Sequence, residues 1–174
     1  MKNLKGFSLI ELMITFTIVG IMMSYAMPSF YQLKLNKLME NERNRLTTSL
    51  NFARNYAVKN QQHVIICPST SGHGCDKESK WFAGWIVFLD SNKNRELDAG
   101  DLLLQNENAM QKEIIATSSI YRQKIRYNGM GFSPGTNLSI NFCDARGSEF
   151  AQSIVLNNAG RIKQSKPISD NVCN

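Results

Sequence analysis

The fold of this chain is decided near its start, by the stretch Gly6-Phe7-Ser8-Leu9-Ile10-Glu11 and the apolar run that it opens. Residues 7–27 contain one charged side chain, that of Glu11. A helix of this length covers about 31 Å at about 1.5 Å per residue, which is the thickness of a bilayer core. Lys2 and Lys5 precede the run without an acidic residue beside them. We therefore expect a transmembrane helix at 7–27 whose N-terminus stays in the cytoplasm.

A secretory signal peptide is the alternative explanation of this run. However, the run is long for the apolar core of a signal peptide, and Ser24-Tyr25-Ala26 is only a passable cleavage site.

Glu11 is the second notable feature of this run, because a carboxylate inside an apolar span is costly and usually has a partner. It lies either at the membrane interface, where it needs no partner, or beside a positive group. A free N-terminal amine on an adjacent subunit would be such a group if the chain were cut just before Phe7.

The same stretch resembles the prepilin peptidase site of type IV pilins and type II secretion pseudopilins. The resemblance rests on Gly6, Phe7 and Glu11, on the short basic leader and on the apolar run. It implies that residues 1–6 are a leader peptide, that prepilin peptidase cuts after Gly6, and that Phe7 becomes a methylated N-terminus. It also implies a single-pass protein of the bacterial inner membrane that later joins a periplasmic and cell-surface pilus. Its partners would then be other pilins and minor pilins, with Glu11 contributing to assembly.

Residues 28–60 continue the helix with an amphipathic pattern. Apolar residues recur at spacings of mostly three, four or seven, at Leu38, Met39, Leu46, Leu50, Ala53 and Ala57. From residue 61 onward, short apolar runs alternate with Ser, Gly, Asn and Asp, which is typical of strands and turns. The runs are 64–67, 85–89, 102–104, 125–127, 138–142 and 154–156. The prediction is an α+β protein in which residues 61–174 form a β-rich globular domain with an antiparallel sheet packed on the long helix. The resemblance to type IV pilins implies that this is the type IV pilin fold.

The chain has four cysteines, Cys67, Cys75, Cys143 and Cys173. An even number beyond a membrane span, in an oxidising compartment, indicates two disulfides, for which three pairings are possible. Cys67 and Cys75 flank a short polar loop, so we expect the bridges Cys67–Cys75 and Cys143–Cys173. A zinc site with the nearby His63 and His73 is the alternative, although the spacing matches no common zinc module.

Oxygen-bearing side chains recur between residues 90 and 101 at the spacing of a calcium-binding EF-hand loop. They stand at positions 1, 3, 5, 7, 9 and 12 of the segment, at Asp90, Asn92, Asn94, Glu96, Asp98 and Asp101. Two departures weaken this interpretation, because Arg95 stands where the sharp turn wants glycine and Asp101 replaces the bidentate glutamate. We therefore favour a polar hairpin turn held by Asx hydrogen bonds, with a calcium site as the alternative. No other metal and no cofactor is expected.

Two further patterns look like those of the FimT/GspH group of minor pilins and pseudopilins. The central one runs Trp81-x-x-Gly84-Trp85-x-Val87-Phe88 and continues through the polar loop to Gly100-Asp101-x-Leu103-Leu104. Near the C-terminus, Cys143-Asp144-x-Arg146-Gly147 and Gly160-Arg161-Ile162-Lys163 resemble the FimT branch. FimT-type proteins of naturally transformable bacteria carry a Gly-Arg-x-Arg element here that is implicated in DNA binding. In this sequence Lys163 replaces the second arginine, which keeps the charge but loses a bidentate fork.

Excess positive charge is confined to the last third of the processed chain. Residues 7–120 hold 11 Lys/Arg and 11 Asp/Glu, whereas residues 121–174 hold seven against three. A basic surface of this kind binds phosphates without reading bases. The candidate DNA contacts are Arg161, Lys163, Lys166, Arg146 and Lys124.

These patterns favour an assembly subunit, and no catalytic arrangement suggests an enzyme. We expect a minor type IV pilin, at or near the pilus tip, that binds double-stranded DNA non-specifically through a basic C-terminal tail and supports uptake in natural transformation. One alternative is a structural minor pilin that primes pilus assembly without binding DNA. The other is a type II secretion pseudopilin of the GspH type that contacts protein substrates.

Overall fold

The fold is known from a computed structural model that describes residues 6, 8–167 and 172–173. The chain divides into two units, 1–37 and 38–174, and each is described by itself. Helix α1 (Leu9–Asn60) contributes residues to both units.

The first unit contains the apolar part of α1. Polar side chains in this part form hydrogen bonds with backbone carbonyls of the same helix. The hydroxyls of Thr15 and Ser24 donate hydrogen bonds to the backbone carbonyls of Leu12 and Ile21, at 2.8 and 2.7 Å. Such groups need no water, and this matters in lipid, where an unsatisfied polar group is expensive. In the described part of the chain, α1 is long and apolar enough to cross a membrane.

In the second unit, α1 buries one stripe of side chains. Met39, Leu46, Leu50, Ala53 and Ala57 are each 0% exposed. They are seven, four, three and four residues apart, so they lie on one face of the helix. The helix packs this stripe on the β-rich part of the unit, as the sequence pattern predicts.

The helix ends through a left-handed residue. Gln61 has φ of +55°, and the N–H of Gln62 donates to the carbonyl of Ala57 at 3.2 Å. This is the Schellman type of helix end, which satisfies a carbonyl that the helix itself leaves free. Gly129 lies directly against it, since a Cβ on that glycine would stand 2.9 Å from the backbone of Gln61.

Within the described residues, eight strands form two antiparallel sheets. The strands are β1 (Val64–Pro68), β2 (Trp85–Leu89), β3 (Leu102–Glu107), β4 (Ile115–Thr117), β5 (Ile125–Tyr127), β6 (Leu138–Cys143), β7 (Gln152–Leu156) and β8 (Ile162–Ser165). The first sheet has the order β3-β2-β1-β5, and the second has the order β4-β6-β7-β8.

All six runs predicted from the sequence are strands, but the single predicted sheet is in fact two. Strand β5 returns to β1, with Tyr127 opposite Val64, and β6 then starts a second sheet. Strands β4 and β8 were not predicted. Strand β4 is only three residues long, and β8 has one apolar residue, Ile162, so neither produces the alternation that marks a strand.

One core lies between the helix and the inner faces of both sheets. It includes Leu50 of the helix, Trp85 and Val87 of the first sheet, and Phe142 and Ile154 of the second. The outer face of the first sheet has a smaller apolar cluster, to which Ile65, Ile86 and Phe88 belong. Leu97, from the loop between β2 and β3, packs against this second cluster. The loop is thereby anchored to the sheet.

Candidate functional site

The beginning of α1 carries a capping arrangement that the sequence analysis did not identify. Ser8 Oγ accepts a hydrogen bond from the backbone N–H of Glu11 at 3.3 Å. A serine before the helix followed three residues later by glutamate is the capping-box pattern, and a carboxylate is favourable near the positive end of the helix dipole. Glu11 therefore has a structural place in the first helical turn, besides the assembly role expected from the sequence. Gly6 is exposed, and Phe7 lies outside the described residues.

The basic residues near the C-terminus belong to a β-hairpin. The turn between β7 and β8 closes with a hydrogen bond from Gly160 N–H to Asn157 O at 2.9 Å, and Gly160 has φ of +71°. A turn of this kind requires a residue that accepts a left-handed backbone, which glycine does without steric cost. The guanidinium of Arg54, on the helix, donates to the carbonyls of Gly131 at 3.0 Å and Ala159 at 3.3 Å. The hairpin turn is thus fastened to α1.

Strand β8 directs its basic side chain, that of Lys163, away from the helix. Ile162 packs against the main core, and the side-chain amide of Gln164 donates to the side chains of Asn44 and Thr47 on α1. Successive residues of a strand point to opposite sides, so Lys163 faces away from α1. Arg161 and Lys166, on either side of β8, are exposed like Lys163. We call Arg161, Lys163 and Lys166 the β8 patch. The sequence-based expectation of a basic tail is corrected in this respect, since two of these cations stand on a hairpin that is part of a sheet.

Arg146, a second candidate DNA contact, is committed to a neighbouring acid. Its guanidinium lies 2.6 Å (Nη2 to Oδ2) from Asp144 and 4.4 Å above the ring of Phe150, and its side chain is 8% exposed. Burial opposes the charged form of Asp144, but the hydrogen bonds and charge of Arg146 outweigh it and hold the pKa of this carboxyl below its usual value. A phosphate would have to displace Asp144 to reach Arg146, so we leave Arg146 out of the proposed interface.

Lys124, the remaining candidate, contacts the loop between β2 and β3. Its ammonium group contacts the carboxylate of Glu96 and the carbonyl of Arg95. It also lines a pocket of about 320 Å³ together with Arg95, Arg122 and Arg126. We call this the β5 pocket. Arg126 has a buried Nε without a hydrogen-bond partner among the described residues.

The β5 pocket was missed as a site, although its signal was in the sequence. Arg122, Lys124 and Arg126 stand two residues apart, and such spacing places cations on one side of an extended chain. Tyr121, at its rim, is 89% exposed.

A polar groove of about 520 Å³ lies beside this pocket, on the second sheet. It shares Arg122 with the β5 pocket and is lined by Ser139, Asn141, Val155 and Asn157 among others. Val155 pairs directly with Lys163 of the β8 patch. The groove therefore links the two basic regions with side chains that can form hydrogen bonds.

Both disulfides are present, and all four cysteines lie in the described part of the chain. Cys67 is bridged to Cys75, and Cys143, at the end of β6, is bridged to Cys173, 30 residues further on. A bridged cysteine offers no thiolate, so these residues are not available as zinc ligands.

The polar loop between β2 and β3 is organised by its own oxygen atoms. The side-chain amides of Asn92 and Asn94 donate to Asp98 Oδ2 at 2.7 and 2.8 Å. Asp101 accepts the backbone N–H groups of Ser91 and Asp98 through its two carboxylate oxygens.

Hydrogen bonds to Asp98, first from the backbone of Gly100 and then from the two asparagine amides, lower the pKa of this carboxyl. Among the described residues, no three acidic, histidine or cysteine side chains cluster closely enough to hold a metal by themselves.

Comparison with known proteins gives two family matches and one fold match. Residues 42–160 match the family described as "Type II transport protein GspH", and residues 1–27 match the "Prokaryotic N-terminal methylation motif". Two crystal forms of the type IV minor pilin FimU of Pseudomonas aeruginosa strain PAO1 are similar in structure, each with a TM-score of 0.59 and 16% sequence identity. The similarity covers 74% and 75% of this chain and 88% and 98% of the FimU chains, and it shows the fold. No curated protein matches the sequence.

Proposed function

The chain belongs to the GspH family of pilin-like proteins, and on that basis we propose that it is a minor type IV pilin that binds double-stranded DNA. The family and the fold are those of structural pilins and not of enzymes. In this proposal, prepilin peptidase removes residues 1–6 and leaves a methylated Phe7. The mature chain is anchored in the inner membrane by 7–27, then joins the pilus at or near its tip and supports DNA uptake in natural transformation.

The observation that carries the DNA-binding proposal is the geometry of the β8 patch. Arg161 and Lys163 are exposed on a hairpin whose turn is fixed to the helix by Arg54. Because the backbone is already held, little conformational entropy is lost when these side chains meet phosphates. Among the described residues neither has an acidic partner to displace, in contrast to Arg146.

The β5 pocket extends the proposed surface. Lys163 pairs with Val155, which in turn pairs with Ser139, so β8 and β6 are two strand spacings apart, about 10 Å. The polar groove covers this distance and reaches Arg122. Hydroxyl and amide side chains commonly contact phosphate and sugar groups, so the groove suits a nucleic-acid backbone between the two basic regions.

A salt titration of DNA binding tests this proposal. A soluble fragment starting at residue 28 should bind labelled duplex DNA with a Kd of about 10⁻⁶ M or weaker and without sequence preference. Changing Arg161→Gln and Lys163→Gln together removes two phosphate contacts, so the slope of log K against log salt should fall by about 1.8 and most binding should be lost. The thermal midpoint should stay nearly constant, because both side chains are exposed.

The matched control is the double variant Lys77→Gln and Lys112→Gln. It removes the same net charge from exposed positions outside the β8 patch. If this control loses binding as strongly as the Arg161 and Lys163 variant, only overall charge matters. If the unmodified fragment does not bind DNA at low salt, the DNA-binding proposal is wrong, and a structural minor pilin that primes assembly takes its place.

Processing has its own test, independent of DNA. The intact mass of protein extracted from membranes should equal the chain from Phe7 onward with one added methyl group. A chain that still begins at Met1, or one cut after Ala26, would contradict processing as a prepilin.

The second candidate is a type II secretion pseudopilin, which the description of the matching family favours. A pseudopilin would contact other pseudopilins and secreted proteins instead of DNA. Deleting the gene distinguishes the two candidates, because loss of protein secretion with normal DNA uptake supports the pseudopilin, and the opposite result supports the minor pilin.

A further inference from the structure

We propose that the β5 pocket is a binding site for one phosphate monoester group. Four cations line this pocket of about 320 Å³: Arg95 from the loop between β2 and β3, Arg122 and Lys124 from the segment before β5, and Arg126 from β5 itself. Small phosphate esters and the terminal phosphate of a DNA strand share this chemistry, whereas the phosphates inside a strand are diesters. The site lies within the proposed DNA surface, but it does not require that the protein binds DNA.

Most of the positive charge in the pocket is not neutralised. Glu96 pairs with Lys124, so one of the four cations is engaged by an acid. Among the described residues, no carboxylate forms an ion pair with Arg95, Arg122 or Arg126. Four positive charges therefore face one negative charge, which leaves an excess of three.

Strand β5 places Arg126 where its charge needs an anion. Ile125 and Tyr127 are fully buried in the main core, so Arg126, between them, lies on the outer face of the first sheet. There it stands beside Ile65 of β1, which belongs to the apolar cluster of that face. Within the described part of the chain its buried Nε has no hydrogen-bond partner. A buried donor without an acceptor is costly, and an anion that accepts its hydrogen bond would remove that cost.

His63, just before β1, responds to the same positive charge. Its pKa is lowered, first by burial and then by three charges, those of Arg126, Lys93 and Arg95. The buried carboxylate of Asp90 acts in the opposite direction but does not cancel them. The positive potential on this face of the sheet therefore persists among the side chains around it.

The excess charge favours a monoester over a diester. At pH 7 a phosphate monoester carries a charge of about −1.5 to −2, whereas a diester carries about −1. The Coulomb attraction grows in proportion to the charge of the anion, so the pocket gains more from a monoester. The planar fork of each arginine also matches the oxygens of a phosphate group. Because exposed ion pairs each contribute little, we expect a Kd of about 10⁻³ M for a small monoester.

A titration with methyl phosphate, followed by phosphorus NMR, tests this proposal on the full-length chain in non-ionic detergent. We expect one methyl phosphate per chain, and dimethyl phosphate, the matching diester, should bind at least about tenfold more weakly. Arg126→Gln should weaken methyl phosphate binding about tenfold or more, since it removes a partly buried donor of charge-assisted hydrogen bonds. Arg95→Gln should weaken it about fivefold, and because Arg95 is exposed, this variant keeps the test valid if Arg126→Gln does not fold.

Lys93→Gln is the matched control for Arg95→Gln. Both residues are exposed cations of the same loop, with φ of +65° and +66°, but Lys93 does not line the pocket. The control should bind methyl phosphate within about twofold of the unmodified chain. Equal weakening by the two variants would show diffuse attraction and overturn the proposal. Equal binding of methyl and dimethyl phosphate, or no binding at about 10 mM methyl phosphate, would overturn it as well.

A short duplex with and without 5′-phosphates identifies the source of the monoester. Tighter binding of the phosphorylated duplex, lost in Arg126→Gln, would place a strand end in the pocket. Equal binding of the two duplexes, with methyl phosphate still bound, supports a site for small phosphate esters. A chain that binds methyl phosphate but neither duplex retains the phosphate site and contradicts only the DNA proposal. A chain that binds duplex DNA but not methyl phosphate retains DNA binding and overturns the phosphate site.

Discussion

Replacing Gly160 with alanine should destabilise the protein through two separate effects. Gly160 has φ of +71°, and an alanine there would cost about 1–2 kcal/mol for the left-handed backbone. In addition, its Cβ would stand 2.2 Å from the carbonyl oxygen of Gly131, well inside the 3.0 Å below which something must shift. Forcing apart two packed segments costs about 1–3 kcal/mol. Together the expected loss in the free energy of unfolding is roughly 2–5 kcal/mol.

Gly135→Ala is the control that separates these effects. Gly135 also has a left-handed backbone, with φ of +75°, but a Cβ there meets open space. Only the backbone cost of about 1–2 kcal/mol should then be seen. The difference between the two variants measures the close contact between residues 160 and 131.

The same contact also determines where the β8 patch lies. Arg54 holds the carbonyls of Gly131 and Ala159 from the helix, and pushing Gly160 away from Gly131 strains both hydrogen bonds. Hydrogen bonds to a charged donor contribute about 1.5–3 kcal/mol. We therefore expect the Gly160→Ala variant, where it still folds, to bind DNA more weakly than the Gly135→Ala variant.

Urea unfolding of the fragment that starts at residue 28, followed by tryptophan fluorescence, gives the required free energies. Trp81 and Trp85 are both fully buried, so their emission reports loss of the core. Equal destabilisation by the two alanine variants, or a gain in stability for Gly160→Ala, would refute the packing of the hairpin described here.

Three further predictions concern other parts of the chain. Glu11→Ala should leave membrane insertion intact but reduce incorporation into sheared pili, and normal incorporation would mean that the carboxylate needs no partner. Removing the second disulfide with Cys143→Ser and Cys173→Ser should lower the free energy of unfolding by about 3.5–4 kcal/mol, from the closed loop of 30 residues, and denaturant melts that coincide with those of the unmodified fragment would contradict this. The lowered pKa of Asp144 means that its pairing with Arg146 stabilises the fold above about pH 4 and that this contribution is lost as pH falls through the lowered pKa. Asp144→Asn should thus flatten the acid side of the stability profile, and an unchanged acid side would count against the pairing.

The elements that could be predicted from the sequence are those with a clear periodicity. The stripe from Met39 to Ala57 repeats at helical spacing over several turns, and the six apolar runs each form a strand, although the run in β3 is largely exposed. These signals are local, so they appear in a single sequence without knowledge of partners. The short loop between Cys67 and Cys75 likewise indicates one disulfide, and the other pair, Cys143 and Cys173, consists of the two cysteines that remain.

Features that depend on tertiary contacts could not be predicted. Strand β8 has only Ile162 as an apolar residue, and its place in the sheet comes from pairing with β7. The sequence predicts Arg146 as a candidate DNA contact. Its contacts with Asp144 and Phe150 could not be predicted, because they depend on how the chain folds back after β6. The buried oxygen of Asp90 likewise results from packing around the loop.

Lys163 lies on the edge strand of the second sheet, and this position has a consequence for how neighbouring subunits interact in the membrane. In the described residues β8 has one neighbouring strand, β7, so its other side presents free backbone groups. Another chain can add a strand to such an exposed edge, and a lysine on the edge strand is a common way to prevent this pairing. Subunits that wait side by side before assembly would meet at high local concentration. The charge of Lys163 would then keep them from pairing through their sheets, whether or not DNA is present.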